Sequence, residues 1–184
     1  MYEQFKSRAE GVGSELHRFR TREEALDFIS TFLQHEGARN APGAYAVWAP
    51  GRFSSGIDTA QLSAEIPGLS FSVDRQTAAD SLIGISDMDW ALADTGSLVA
   101  DQTAVEQRLS STLPAIHIAL IGTDRILADK TAVFSHITPL NSKYIAFITG
   151  PRRTADIERV LTIGVHGPKR LVIVLVDATE GAAP

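Results

Sequence analysis

Gly150-Pro151-Arg152-Arg153-Thr154, continuing into Ala155-Asp156-Ile157-Glu158, is the stretch whose residue types point most directly at chemistry. An apolar strand signal, Tyr144 to Ile148, ends just before it. A helix signal opens at Thr154, with an apolar face of Ile157, Val160, Leu161 and Gly164. A helix start offers free backbone N–H groups and the positive end of the dipole. Arg152 or Arg153 adds a guanidinium that can grip a carboxylate or phosphate through paired hydrogen bonds. In open α/β sheets, ligands sit beyond the carboxyl ends of the strands, where such a turn is expected. The plainer alternative carries equal weight: Thr154 only caps the helix, and the arginines are solvated or pair with Asp156 and Glu158.

Asp94-Thr95-Gly96-Ser97 is the second candidate, a tight polar turn between strand signals at Trp90–Ala93 and Leu98–Ala100. A carboxylate at a strand end, beside Gly and Ser, can serve as base or nucleophile. An Asp that merely hydrogen-bonds its own turn is the favoured alternative. The histidines, His17, His35, His117, His136 and His166, show no i, i+4 pairing of the kind that builds a helical metal site. His117 lies inside an apolar strand signal and reads as a satisfied structural residue. His166, in Gly164-Val165-His166-Gly167-Pro168, reaches the same cleft only if its glycine-rich turn folds back. No G-x-G-x-x-G fingerprint and no Walker A sequence occur, so nucleotide binding by those routes is not expected. With no cysteine, the chain has no disulfide, no thiolate nucleophile and no sulfur ligands for an iron–sulfur cluster of its own.

These residues need a scaffold, and the patterning describes one. Thr21 and Glu24 have capping-box spacing, and Ala25, Phe28, Ile29, Phe32 and Leu33 then form one apolar helix face that Gly37 ends. Strands are expected at Ser14–Arg20, Ala44–Trp48, Ile116–Ile121, Tyr144–Ile148 and Leu171–Val176. Helices are expected after Thr123 and after Thr154. Continuous apolar runs such as LVIVLV belong in a parallel sheet covered on both faces, and their alternation with helices is the pattern of βαβ units. The expected fold is therefore α/β, a mostly parallel sheet flanked by helices, with the strands at Ile116, Tyr144 and Leu171 in its core. At 184 residues one domain is expected, with residues 1–13 and 179–184 peripheral. The net charge of −5 argues against nucleic-acid binding through a broad basic surface. The N-terminus lacks the apolar stretch of a secretory signal, and no run approaches bilayer length, so a cytoplasmic protein is expected.

The motifs together resemble the lactate utilisation protein C family, the small members of the LUD-domain proteins. Three blocks carry the resemblance: GISDMDWALADTGSLV at Gly84–Val99, LPAIHIALIG at Leu113–Gly122, and ITGPRRTADIERVLTIGVHGP at Ile148–Pro168. It implies a fold similar to the ribose-phosphate isomerase, glucosamine-phosphate deaminase and CoA-transferase group. It also implies a part in oxidising L-lactate to pyruvate, with iron–sulfur clusters on partner proteins and no cofactor or metal on this chain. The chain would be an accessory or ligand-binding component for a small carboxylate or phosphate. The alternative is a stand-alone enzyme acting on a small anionic substrate. In either case the site would comprise Asp94, Thr95, Gly96, Ser97, Gly150, Arg152, Arg153, Thr154 and His166. Two departures stand out. Asp94 replaces a frequent family Glu and is one methylene shorter, and Arg152 replaces a small residue, so the motif arginine is Arg153.

Overall fold

The computed structural model describes residues 1–138, 140–151, 153–155, 161–163 and 167–177. In chain order the elements are α1 (Tyr2–Gly11), β1 (Glu15–Phe19), α2 (Arg22–His35), β2 (Tyr45–Trp48), α3 (Thr59–Glu65), β3 (Leu69–Ser70), α4 (Arg75–Ala79) and β4 (Ser81–Asp87). They continue with β5 (Trp90–Leu92), β6 (Ser97–Asp101), α5 (Val105–Thr112), β7 (Ile116–Gly122), a 3-10 turn at Thr123–Arg125, β8 (Ile126–Leu127) and α6 (Lys130–Val133). β9 (Ile145–Ile148), β10 (Arg153–Ala155), β11 (Leu161–Ile163) and β12 (Arg170–Val176) complete them.

The main sheet has six strands in the order β1-β12-β7-β4-β2-β3, and every pairing is parallel. The continuous apolar runs follow from its position. Ile118, Leu120, Val172 and Val174 face α2, where Ala25, Ile29 and Leu33 pack against them. The alternate residues Ala119, Ile121, Leu171, Ile173 and Leu175 face the other way, onto Phe5 and Ala9 of α1 and onto Ala91, Leu98 and Ala100. Both faces are covered, so no polar alternation survives in these strands. Residues 1–13 are accordingly not peripheral: Phe5 and Ala9 are fully buried.

The start of α2 is built as its sequence suggests. Thr21 Oγ1 accepts the Glu24 N–H at 3.2 Å, and the Glu24 carboxylate accepts the Arg20 N–H at 2.9 Å. Thr21→Ala should lower stability by about 1 kcal/mol, read as a lower denaturant midpoint with an unchanged slope.

A second sheet, in the order β8-β5-β6-β9, packs on the α1 side. It corrects two expectations. The strand at Tyr144 is not in the parallel core: β9 pairs antiparallel with β6, Leu98 opposite Ile148 and Val99 opposite Phe147. The segment after Thr123 is not one helix. It makes a single 3-10 turn, adds β8 parallel to β5, and only then forms the short α6, whose cap is Asp129. A third correction concerns Thr154, which lies in β10, paired antiparallel with β11, and opens no helix there. The remainder of that expected helix, and the tail at 179–184, lie outside the described residues.

Candidate functional site

A cavity of about 690 Å³ opens where β9, the starts of β7 and β12 and the end of α5 meet. This is within the size range of ligand pockets in proteins. It lies near the amino ends of the parallel strands, not at the carboxyl edge where a βαβ reading expects a ligand. The carboxyl edge at β4 is instead occupied by the loop after β2. There Asp87 accepts the Phe53 N–H at 2.9 Å, and Arg52 lies 3.4 Å from Asp89. Burial pushes the Asp87 carboxyl up from its ordinary value.

Buried residues form the floor of the cavity: His117 on β7, Leu171 on β12, Ser111 at the end of α5, and Gln102 just after β6. Its exposed rim includes Tyr144, Phe147 and Thr149. The side chains are held in place. Gln102 donates to Ser111 Oγ at 2.8 Å, and Arg108 donates to the Gln102 carbonyl at 2.8 Å while lying over the Tyr144 ring. At the β12 end, Arg170 grips both carboxylate oxygens of Glu15 at 2.7 and 2.9 Å and reaches Glu36 at 2.8 Å. That grip, through hydrogen bonds to Arg170, holds the Glu15 carboxyl below the usual range.

His117 is the residue that sequence reasoning set aside. It is fully buried, its Nε2 lies 2.8 Å from Ser86 Oγ, and its Nδ1 has no partner among the described residues. Burial depresses its pKa to about 3, so the ring is neutral at ordinary pH. No carboxylate, lysine or arginine is among the described residues that line the cavity.

The two sequence candidates meet at this cavity in different ways. Gly150 lines it, adopts φ of +70°, and presses on Val12, whose carbonyl oxygen would lie 2.6 Å from a Cβ there. Pro151 lines it too, as do Gly167 and Pro168. Both ends of the 150–168 motif therefore flank the cavity. Arg153 and Thr154 belong to β10 and are not among the described lining residues, and Arg152 and His166 lie outside the described residues. The turn at residues 94–97 connects through hydroxyl groups. Ser97 donates to Thr95 at 2.9 Å and shares a 2.7 Å hydrogen bond with Thr149, which lines the rim. Gly96 adopts φ of +69°, where a Cβ would come within 2.6 Å of the Arg8 carbonyl carbon in α1. Asp94 is exposed on the turn and is not among the described lining residues. Asp94→Asn should change the melting free energy by no more than about 0.5 kcal/mol, as thermal denaturation would show. Thr149 carried no sequence signal beyond its place before Gly150. The only sequence signal for His117 was a polar residue inside an apolar strand.

Together these features define an α/β protein with a six-stranded parallel sheet, a second, mixed sheet and an open cavity. The LUD-domain family model matches residues 2–176, and the chain belongs to that family. It is 29% identical over 163 residues to the lactate utilization protein C of Macrococcus caseolyticus, covering 84% of this chain and 71% of that protein. It is 34% identical over 111 residues to the lactate utilization protein C of Shouchella clausii, covering 58% of this chain and 48% of that one. This second match thus spans about half the length of the relative. In fold it is similar to a crystal structure of a DUF162 family protein from Deinococcus radiodurans, with a TM-score of 0.65 at 17% identity and 95% coverage of both chains. Among the described residues, no helix is long and apolar enough to cross a membrane.

Proposed function

We propose that the chain is the ligand-binding component of a cytoplasmic, iron–sulfur-dependent system that oxidises L-lactate to pyruvate, and that its cavity takes a small carboxylate. One observation carries the reading: Gly150, Pro151, Gly167 and Pro168, the two ends of the most distinctive motif in the sequence, all line the same cavity. The relatives' shared name, lactate utilization protein C, supports the pathway. A chain without cysteine fits a division of labour in which partner proteins hold the clusters. Arg153 is the proposed charged clamp for the carboxylate, since β10 begins with it, two residues beyond the cavity-lining Pro151.

Two measurements test this. Lactate-dependent electron transfer by the purified partner proteins should fall when the chain is left out and return when it is added back. Calorimetry with L-lactate, pyruvate and phosphate should show carboxylate binding that weakens by about 1.5–3 kcal/mol in Arg153→Ala. Equal binding to both proteins would remove Arg153 from the site. Unchanged electron transfer without the chain would end the reading.

A further inference from the structure

The floor of the cavity holds a polar atom that has no hydrogen-bond partner among the described residues. Among the described lining residues, His117 is the one with a buried side-chain atom lacking a partner, and that atom is Nδ1. Its other ring nitrogen is committed, 2.8 Å from Ser86 Oγ, and the Ser86 side chain is itself fully buried. Register explains the pair. His117 stands opposite Gly84, Ser86 stands opposite Ala119, and side chains two residues apart on a strand share a face. The hydroxyl therefore reaches diagonally from β4 to the imidazole on β7. Gly84, beside His117, lets the α5 backbone close in at Ser110, next to the cavity-lining Ser111. An orphaned buried nitrogen carries a desolvation penalty that a ligand atom would relieve.

The surroundings restrict what that ligand atom can be. The other floor residues, Gln102, Ser111 and Leu171, are uncharged, and Gln102 and Ser111 are bonded to each other. The floor thus suits an uncharged, hydrogen-bonding group. The carboxylate assigned above belongs at the Gly150–Pro151 end, which leads to Arg153. In a 2-hydroxy or 2-oxo acid, the oxygen on the carbon next to the carboxylate is such an uncharged group.

We propose that His117, positioned by Ser86, contacts the C2 oxygen of a 2-hydroxy or 2-oxo acid in this cavity. The dyad suits both oxidation states. A neutral imidazole has one donor and one acceptor nitrogen, and a serine hydroxyl can donate or accept. When Ser86 accepts from Nε2–H, Nδ1 is bare and accepts from a 2-hydroxyl group. When Ser86 donates to Nε2, Nδ1 carries the proton and donates to a 2-oxo group. This inference rests on the carboxylate-binding reading given above and adds selection by the C2 oxygen.

The test uses wild-type protein labelled with ¹⁵N at histidine, with L-lactate, pyruvate and propionate as probes. Propionate keeps the carboxylate and the carbon skeleton but lacks the C2 oxygen. Saturation with lactate should give the His117 ring the shifts of the Nε2–H tautomer, and pyruvate those of the Nδ1–H tautomer. Calorimetry should show propionate binding roughly tenfold more weakly than lactate. Ser86→Ala should remove the tautomer difference between the two acids while leaving carboxylate binding measurable. Equal affinity for all three acids, or ring shifts unmoved at saturation, would overturn the inference and leave the carboxylate-binding reading standing. Absence of binding by all three would overturn both.

Discussion

Lowering the pH from 6 to 4 is expected to cost the wild-type protein roughly 2–3 kcal/mol more than it costs a His117→Gln variant. The reason is the burial of a neutral imidazole. In the unfolded chain the ring takes up a proton below its ordinary value of 6.5, whereas in the fold it resists until about 3. Between those values the unfolded state binds more protons, so stability falls as the pH falls through this window. Over the full window the loss is on the order of 5 kcal/mol, a large share of what a domain this size possesses. Other groups also weaken the fold in acid. Glu15, held low by Arg170, and Asp177, held low by Arg18, lose their contribution when protonated. His17, lowered by its own burial, acts in the same direction as His117. These groups are common to both proteins, so the difference between the two curves isolates His117. Glutamine preserves reach toward Ser86 and does not titrate, and denaturant unfolding at pH 7, 6, 5 and 4 measures both curves. Parallel curves would show that the His117 ring is not buried as a neutral base.

Gly84→Ala is expected to destabilise the protein by about 3 kcal/mol or to prevent folding. A Cβ at this position would overlap the Ser110 carbonyl oxygen of α5 and come within 2.8 Å of Pro114 Cγ. The obstacle is backbone, so no side-chain rotation relieves it. α5 would have to move off β4 and carry Ser111 away from Gln102, opening the cavity floor. Gly11→Ala is the matched control. It lies in α1 with nothing within 4 Å of an added Cβ, and alanine there should leave stability unchanged or raise it by about 0.5 kcal/mol. If both variants melt alike, the close approach of α5 to β4 is wrong.

Local signals decided much of this molecule. The T-x-x-E spacing and the apolar stripe from Ala25 to Leu33 specify α2 because capping and 3.6-residue periodicity act within a few residues of chain. The LVIVLV and IHIALI runs specify buried parallel strands because only a sheet covered on both faces has no place for polar alternation. The Gly-Pro pairs at the two ends of the motif, Gly150-Pro151 and Gly167-Pro168, stood out in the sequence, and all four residues line the cavity.

Tertiary structure alone decided the rest. YIAFI reads like a core strand, yet β9 is an edge strand of a second sheet, with Phe147 39% exposed, because a short apolar run does not encode which partner it pairs with. Thr154 has the look of a helix cap, yet it pairs across to Thr162, since a strand partner outside the local window outweighs a capping preference. The surroundings of Asp94 and His117 were set by the fold for a similar reason. Whether a carboxylate on a turn faces solvent, or an imidazole in an apolar strand keeps a nitrogen unpaired beside a cavity, depends on what the fold brings against it. For His117 that means a hydroxyl from a neighbouring strand, thirty-one residues away in sequence. No spacing rule reaches that far, because sheet register, and not chain proximity, sets the distance between them.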